Sequence, residues 1–167
     1  MTTNGIELAA SLFQKIVGMQ PTRVKQGHGS FITFDFGRDV TRQVKTRNGI
    51  ITSHFGEWHL WVYMCAWRID KTKIPVVGCE ATREKISCFL SELQKRRLKE
   101  VNILNQAFDA KLVFENNMEL YLFSFYTQDQ EQWMLFTPEK KVFTAGPGNQ
   151  WSYDDAKKPR NLTEVPR

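Results

Sequence analysis

The chain has few of the features that announce an activity. It holds three cysteines, Cys65, Cys79 and Cys88, an odd number with no C-x-x-C pair. That excludes the even, regularly spaced framework of a small secreted disulfide protein and fits free thiols in a reducing cytoplasm. It also leaves too few clustered ligands for a structural zinc, so no metal or other cofactor is expected. The longest uninterrupted apolar run, residues 60–67, is far shorter than the ~20 residues that cross a bilayer, so no membrane association is expected. The first residues carry no basic, apolar leader. Gly27-His28-Gly29 lacks the later Gly, Lys and Ser/Thr of a phosphate-binding loop. Charge of one sign is not in large excess either, with 23 Lys and Arg against 18 Asp and Glu and a net charge of +5.

Large rings are what the chain has in plenty. Aromatic residues make up 13%, with twelve Phe and five Trp. Such rings pack well on a pleated surface, so they point to a sheet-rich core. With 41% apolar and 25% charged residues, the composition is globular. One α+β domain is expected over residues 1–156. Residues 157–167, which hold two of the six prolines, read as a flexible polar tail.

Two helices stand out. Leu8, Leu12, Phe13 and Ile16 recur at helical spacing behind Asn4 as N-cap, and Gly18 ends the run. Ile86, Phe89, Leu90 and Leu93 do the same behind Thr82, and Cys88 is expected to face the core with them. The remainder reads as antiparallel strands. Residues 30–36 and 40–47 flank a turn at Gly37-Arg38-Asp39, and Asn48-Gly49 is a two-residue hairpin signal before residues 50–55. Residues 57–69 read as one long central strand, 71–78 as a loop, and further strands fall at 101–105, 111–115, 118–127, 131–137 and 142–145.

The halves 4–70 and 82–145 echo each other faintly, each with a helix followed by aromatic strands. Phe34-Asp35 answers Phe114-Glu115, and Trp58 answers Trp133. An internal duplication of a helix-plus-strands unit is therefore one expectation, with the halves sharing a continuous sheet or facing sheets.

Candidates for chemistry are sparse. Cys65 with His54 or His59 and Asp35 would have the residue types of a nucleophilic site. A small thiol inside Tyr63-Met64-Cys65-Ala66-Trp67 is more simply a core residue, and a histidine between Trp58 and Leu60 a satisfied or solvated one. Asp35 and Asp39 around Gly37 read as solvated turn carboxylates. No enzymatic activity is expected on these grounds.

Two surfaces remain as candidates. Arg38, Arg42, Lys45 and Arg47 lie on or beside the hairpin and form its basic residues; residues 1–80 carry ten Lys and Arg against six Asp and Glu. A basic β-ribbon can follow a phosphate backbone, so nucleic acid is one expected partner. The tryptophans are the other signal. Both faces of the 57–69 run are apolar, which leaves one face to be covered or to bind, and Trp and Tyr are common interface anchors. Trp61, Trp151 and Tyr153 are the binding candidates there. The favoured expectation is a small cytoplasmic interaction protein of inhibitor, immunity or adaptor type, of bacterial or phage origin, acting on a partner protein.

Overall fold

The computed structural model describes residues 4–156. Asn4 caps α1 (Gly5–Gln14), its side chain accepting from the Ile6 N–H, and the helix buries Ala9, Leu12 and Phe13. Thr82 caps α2 (Arg83–Gln94) in the same way by accepting from the Lys85 N–H, and Ile86, Leu90 and Leu93 form its buried stripe. Cys88 departs from expectation: it is exposed, on the side of α2 away from that stripe.

The strands form two antiparallel sheets, so the fold is α+β and mostly antiparallel sheet. In one sheet β1 (Arg23–Gln26), β2 (Ile32–Thr46) and β3 (Gly49–Val62) continue into β9 (Trp133–Phe136), β10 (Lys141–Ala145) and β11 (Trp151–Asp155). In the other, β6 (Leu98–Ile103), β7 (Ala110–Phe114) and β8 (Met118–Phe123) continue into β4 (Ala66–Lys71) and β5 (Ile74–Gly78). Each sheet is thus a three-stranded meander completed by strands from the other part of the chain. Their inner faces share one core, in which Phe34 and Phe114 stack with centroids 6.2 Å apart.

The helices close the open sides of this sandwich. α2 packs against β1 and β5. α1 packs against β6, with Phe13 on Trp133 and the Trp151 ring against Gly5. Two buried indoles tie the layers together. Trp67 Nε1 donates to the Ser30 carbonyl at 2.7 Å, and Trp133 Nε1 donates to the Phe108 carbonyl at 2.9 Å. Ser30 and Phe108 each stand two residues before their strand, β2 and β7.

The correspondence between the sheets is one of strand order and does not establish a repeated sequence. The residue echo does not follow it, because Trp133 on β9 stands where Trp67 stands on β4, not where Trp58 stands on β3. The long strand expected at 57–69 is in fact two. β3 ends at Val62, the chain crosses at Tyr63-Met64-Cys65, and β4 begins in the other sheet. The run is rich in apolar residues because Trp58, Leu60 and Val62 serve the inner face of one sheet and Trp67 and Ile69 that of the other, with Trp61 and Tyr63 on the outer face between them. Residues 71–78 are likewise no loop: Thr72 and Lys73 take positive φ of 51° and 63° in a tight turn between β4 and β5. The expected tail, 157–167, lies outside the described residues.

Removing either indole N–H orphans a carbonyl that it satisfies. Trp67→Phe and Trp133→Phe are each expected to lose about 1–3 kcal/mol of stability, read from urea unfolding. Losses well below that in both would mean that the two bonds are not structural ties.

Candidate functional site: the β2–β3 ribbon and the outer face at its base

β2 and β3 outrun their sheet. β1 reaches only Ile32 to Asp35 of β2, and β9 pairs with β3 only from His59 to Val62. Residues 40–55 pair with nothing but each other and form a two-stranded ribbon. At about 3.4 Å per residue its seven-residue arms project roughly 20 Å. The register, Thr46 opposite Gly49, makes Arg47-Asn48 the two-residue turn rather than the expected Asn48-Gly49.

The expected turn at Gly37-Arg38-Asp39 is instead a β-bulge inside a continuous β2. Phe36 lies opposite Trp58 but Asp39 opposite Gly56, so β2 carries one extra residue there. Gly37 takes φ of +77°, and a Cβ on Gly56 would sit 2.6 Å from the Phe36 amide nitrogen, so the bulge needs glycine on both strands. Its consequence is a change of face. Before it, Ile32, Phe34 and Phe36 point into the core; after it, Val40, Arg42 and Val44 share the outer face with Asp35.

A polar chain at the base of the ribbon runs from a buried Asp35–His59 pair to exposed Asp39 and His54. Asp35 and His59 are cross-strand neighbours, 3% and 8% exposed, with His59 Nδ1 donating to Asp35 Oδ1 at 2.5 Å. Arg23 Nη1 donates to the other Asp35 oxygen at 2.8 Å and to the His54 carbonyl, while its Nη2 donates to Asp39 at 2.9 Å. Asp39 in turn meets His54 Nδ1 at 3.0 Å. Burial pushes the Asp35 carboxyl up, but the His59 hydrogen bond and charge, the Gly56 N–H and Arg23 outweigh it, so its pKa falls below the ordinary value. The Arg23 hydrogen bond does the same for exposed Asp39. Asp35 is therefore not the solvated turn carboxylate that the sequence implied.

Around this chain lies an aromatic surface. His59 packs between Phe55 and Phe136, at 5.1 and 5.7 Å between centroids, and Phe31, Trp61 and Tyr63 form a second group beside it. Phe55, Trp61, Tyr63 and Phe136 are only half-buried, since both helices pack at the edges of the sandwich. The Arg42 guanidinium lies 5.6 Å from the Phe55 centroid and 5.8 Å from that of Phe136.

The seven candidate residues do not form one patch. Arg42 and Trp61 share the outer face. Lys45 pairs with Ile50 on the opposite face of the ribbon, Arg47 is in its turn, and exposed Arg38 donates to Glu57 at 3.1 Å. Trp151 and Tyr153 sit on β11, three strands from β3. Trp151 stacks on Phe143 at 5.8 Å, and Tyr153 lies under Lys141. Two residues at the ribbon end were missed by the sequence reading: Ile50 and Ile51, 70% and 48% exposed. Isoleucine beside a tight turn was the available signal.

The Cys65–histidine arrangement is not formed. Cys65 is buried, donates to the Ala66 carbonyl, and burial pushes its thiol up to about 12. Among the described residues there is no group of three or more His, Cys, Asp or Glu able to hold a metal, and no helix long and apolar enough to cross a membrane. No protein-family model matches the chain, nor does any curated protein or solved structure.

Two measurements follow. A carboxyl held below its unfolded pKa stabilises the fold above that value and stops doing so as pH falls through the folded one. The stability gap between the native chain and Asp35→Asn should therefore be widest near neutrality and close between about pH 5 and 2. A constant gap would mean that Asp35 is not ionised. A thiol titrating near 12 is inert at neutral pH, so iodoacetamide should label exposed Cys88 on the folded protein and Cys65 only after denaturation. Equal labelling rates would contradict the burial of Cys65.

Proposed function

We propose that this chain is a protein-binding module of the inhibitor, immunity or adaptor kind, which grips its partner with the β2–β3 ribbon and the aromatic face at its base. The observation that carries the reading is the ribbon itself. A long hairpin paired to no third strand, with two large aliphatics exposed at its end, lacks the packing that normally fixes such a feature. An element of this kind becomes fully ordered and desolvated when a second surface covers it. The three free cysteines suit a reducing, cytoplasmic setting for the encounter.

Nucleic acid is the less favoured partner, for a reason of register. Following a phosphate backbone requires cations along one face. Here Arg42 and Lys45 fall on opposite faces, Arg38 is engaged by Glu57, and Arg23 by two aspartates. The clustering that is plain in the sequence is dispersed by the pleat.

The test is capture from host lysate with the full chain as bait, with and without nuclease, beside the double variant Ile50→Ser, Ile51→Ser. The expected result is one stoichiometric polypeptide that survives nuclease and is depleted about tenfold or more with the variant, as loss of interface anchors would give. Retention by the variant would remove the ribbon from the interface, and a catch that disappears with nuclease would replace protein by nucleic acid.

A further inference from the structure

Arg42 is the one ribbon cation held in place yet left without a counter-charge. Its guanidinium is half-buried on the Phe55 and Phe136 rings, and among the described residues it makes no hydrogen bond or ion pair. The other strand arginines differ. Arg23 bonds to both Asp35 and Asp39, exposed Arg38 meets Glu57 through Nε, and Arg68, on β4 of the other sheet, bonds to Asp70. Burial lowers the Arg42 pKa, and the nearby Asp35 charge only partly opposes this. A guanidinium that has lost water and rotamer freedom without gaining a carboxylate is a receptor prepared in advance, since ordering its fork is part of the cost of binding.

Beside it lies an unpaired strand edge. β9 ends at Phe136, and from Gly49 to Trp58 β3 pairs with β2 alone. The side of β3 that β9 covers from His59 to Val62 is therefore open alongside Ile51, Ser53 and Phe55. Arg42 stands opposite Ser53 and extends over Phe55 toward Phe136, so its head group lies across that notch. Val44 and Ile51 flank it on the same face.

We infer that the open edge of β3, with the Arg42–Phe55–Phe136 shelf, receives an extended acidic segment of a partner protein, which adds as a strand and places one carboxylate on Arg42. Strand addition supplies main-chain affinity and alternate side-chain pockets supply selectivity. A carboxylate matches the guanidinium fork with two parallel hydrogen bonds. A protein segment is favoured over a polyphosphate because the flanking positions, Val44, Ile51 and Phe55, are apolar and the next outward residue of β3 is Glu57. A second copy of the chain is disfavoured, since two such shelves would oppose arginine to arginine on chains of charge +5. The inference rests on the docking function proposed above and names the chemistry of its partner.

The experiment is amide and arginine Nε–Hε NMR of the full chain, titrated with an acetylated octapeptide alternating valine and glutamate. Controls are the same peptide with glutamine for glutamate, a single-stranded oligothymidine, and a dilution series without peptide. Saturable shifts at residues 51–57 and at Arg42 Nε are expected. The glutamine peptide should bind about tenfold or more weakly, and Arg42→Gln should lose the glutamate preference. The control peptide leaves the protein unchanged, so this comparison holds even if the variant is unstable. No saturable shift at residues 51–57, equal binding of both peptides, competition by oligothymidine at the same residues, or the same shifts on dilution alone would each overturn the inference. Failure here is separable from failure of the docking function: a captured partner lost with the isoleucine variant but kept by Arg42→Gln leaves that function standing without this site.

Discussion

Four residue pairs join the two parts of the larger sheet. His59 to Val62 of β3 lie against Trp133 to Phe136 of β9, and that seam places the later strands beside the first meander. Its counterpart is the pairing of β4 with β8. Neither sheet is complete without strands from the other part of the chain, and the inner faces of both share one core. The same seam is also short. Where β9 stops, β3 continues for ten more residues with one neighbour instead of two, so the bond pattern that assembles the sandwich also creates its open edge.

The bulge at Gly37 converts that edge into a site. A two-residue periodicity carried straight through β2 would keep residues 40, 42 and 44 on the core side, beyond the end of the core. One extra residue turns them outward. Val40 and Arg42 then continue the surface on which Asp35 and His59 are already paired. The Arg23–Asp35–His59 chain lies just before the bulge, and the Arg23 bonds to Asp39 and to the His54 carbonyl reach just past it. Placed there, the buried Asp35 carboxylate and the Arg23 guanidinium tie together the residues on the two sides of the bulge.

Much of the fold was legible, and the misreadings trace to frame rather than composition. Both helices, their N-caps and most of their buried stripes followed from local pattern; α1 stops at Gln14, short of the expected Ile16 and Gly18, and Cys88 falls off the stripe of α2. The strand assignments failed where pairing matters more than local pattern. A turn at Asn48-Gly49 would put Asp35 opposite Val62. The true turn, one residue earlier, together with the bulge puts it opposite His59. No single-strand periodicity contains that information, so the buried pair could not be read in advance. The 57–69 run hid a crossing between sheets for a similar reason, since an apolar stretch looks the same whether it lines one core face or two in succession. Of the expected site residues, Arg42 and Trp61 were brought together on one face, and Trp151 and Tyr153 were carried to the far edge.

The contrast among the arginines bears most directly on what the surface is for. Three of them, on similar strands of the same two sheets, are matched by carboxylates at 2.6 to 3.1 Å. Among the described residues, every strand arginine other than Arg42 thus meets a carboxylate. Arg42 has comparable order from two aromatic rings, and Asp35, the nearest carboxylate to act on it, is already committed to His59 and Arg23. Packing a guanidinium on Phe55 and Phe136 without an anion gains ring contact but forgoes the stronger charge-assisted bonds. For folding alone, a neutral apolar side chain at residue 42 would cover the same rings at no electrostatic cost. An arginine there makes physical sense as half of a pair whose other half arrives from outside.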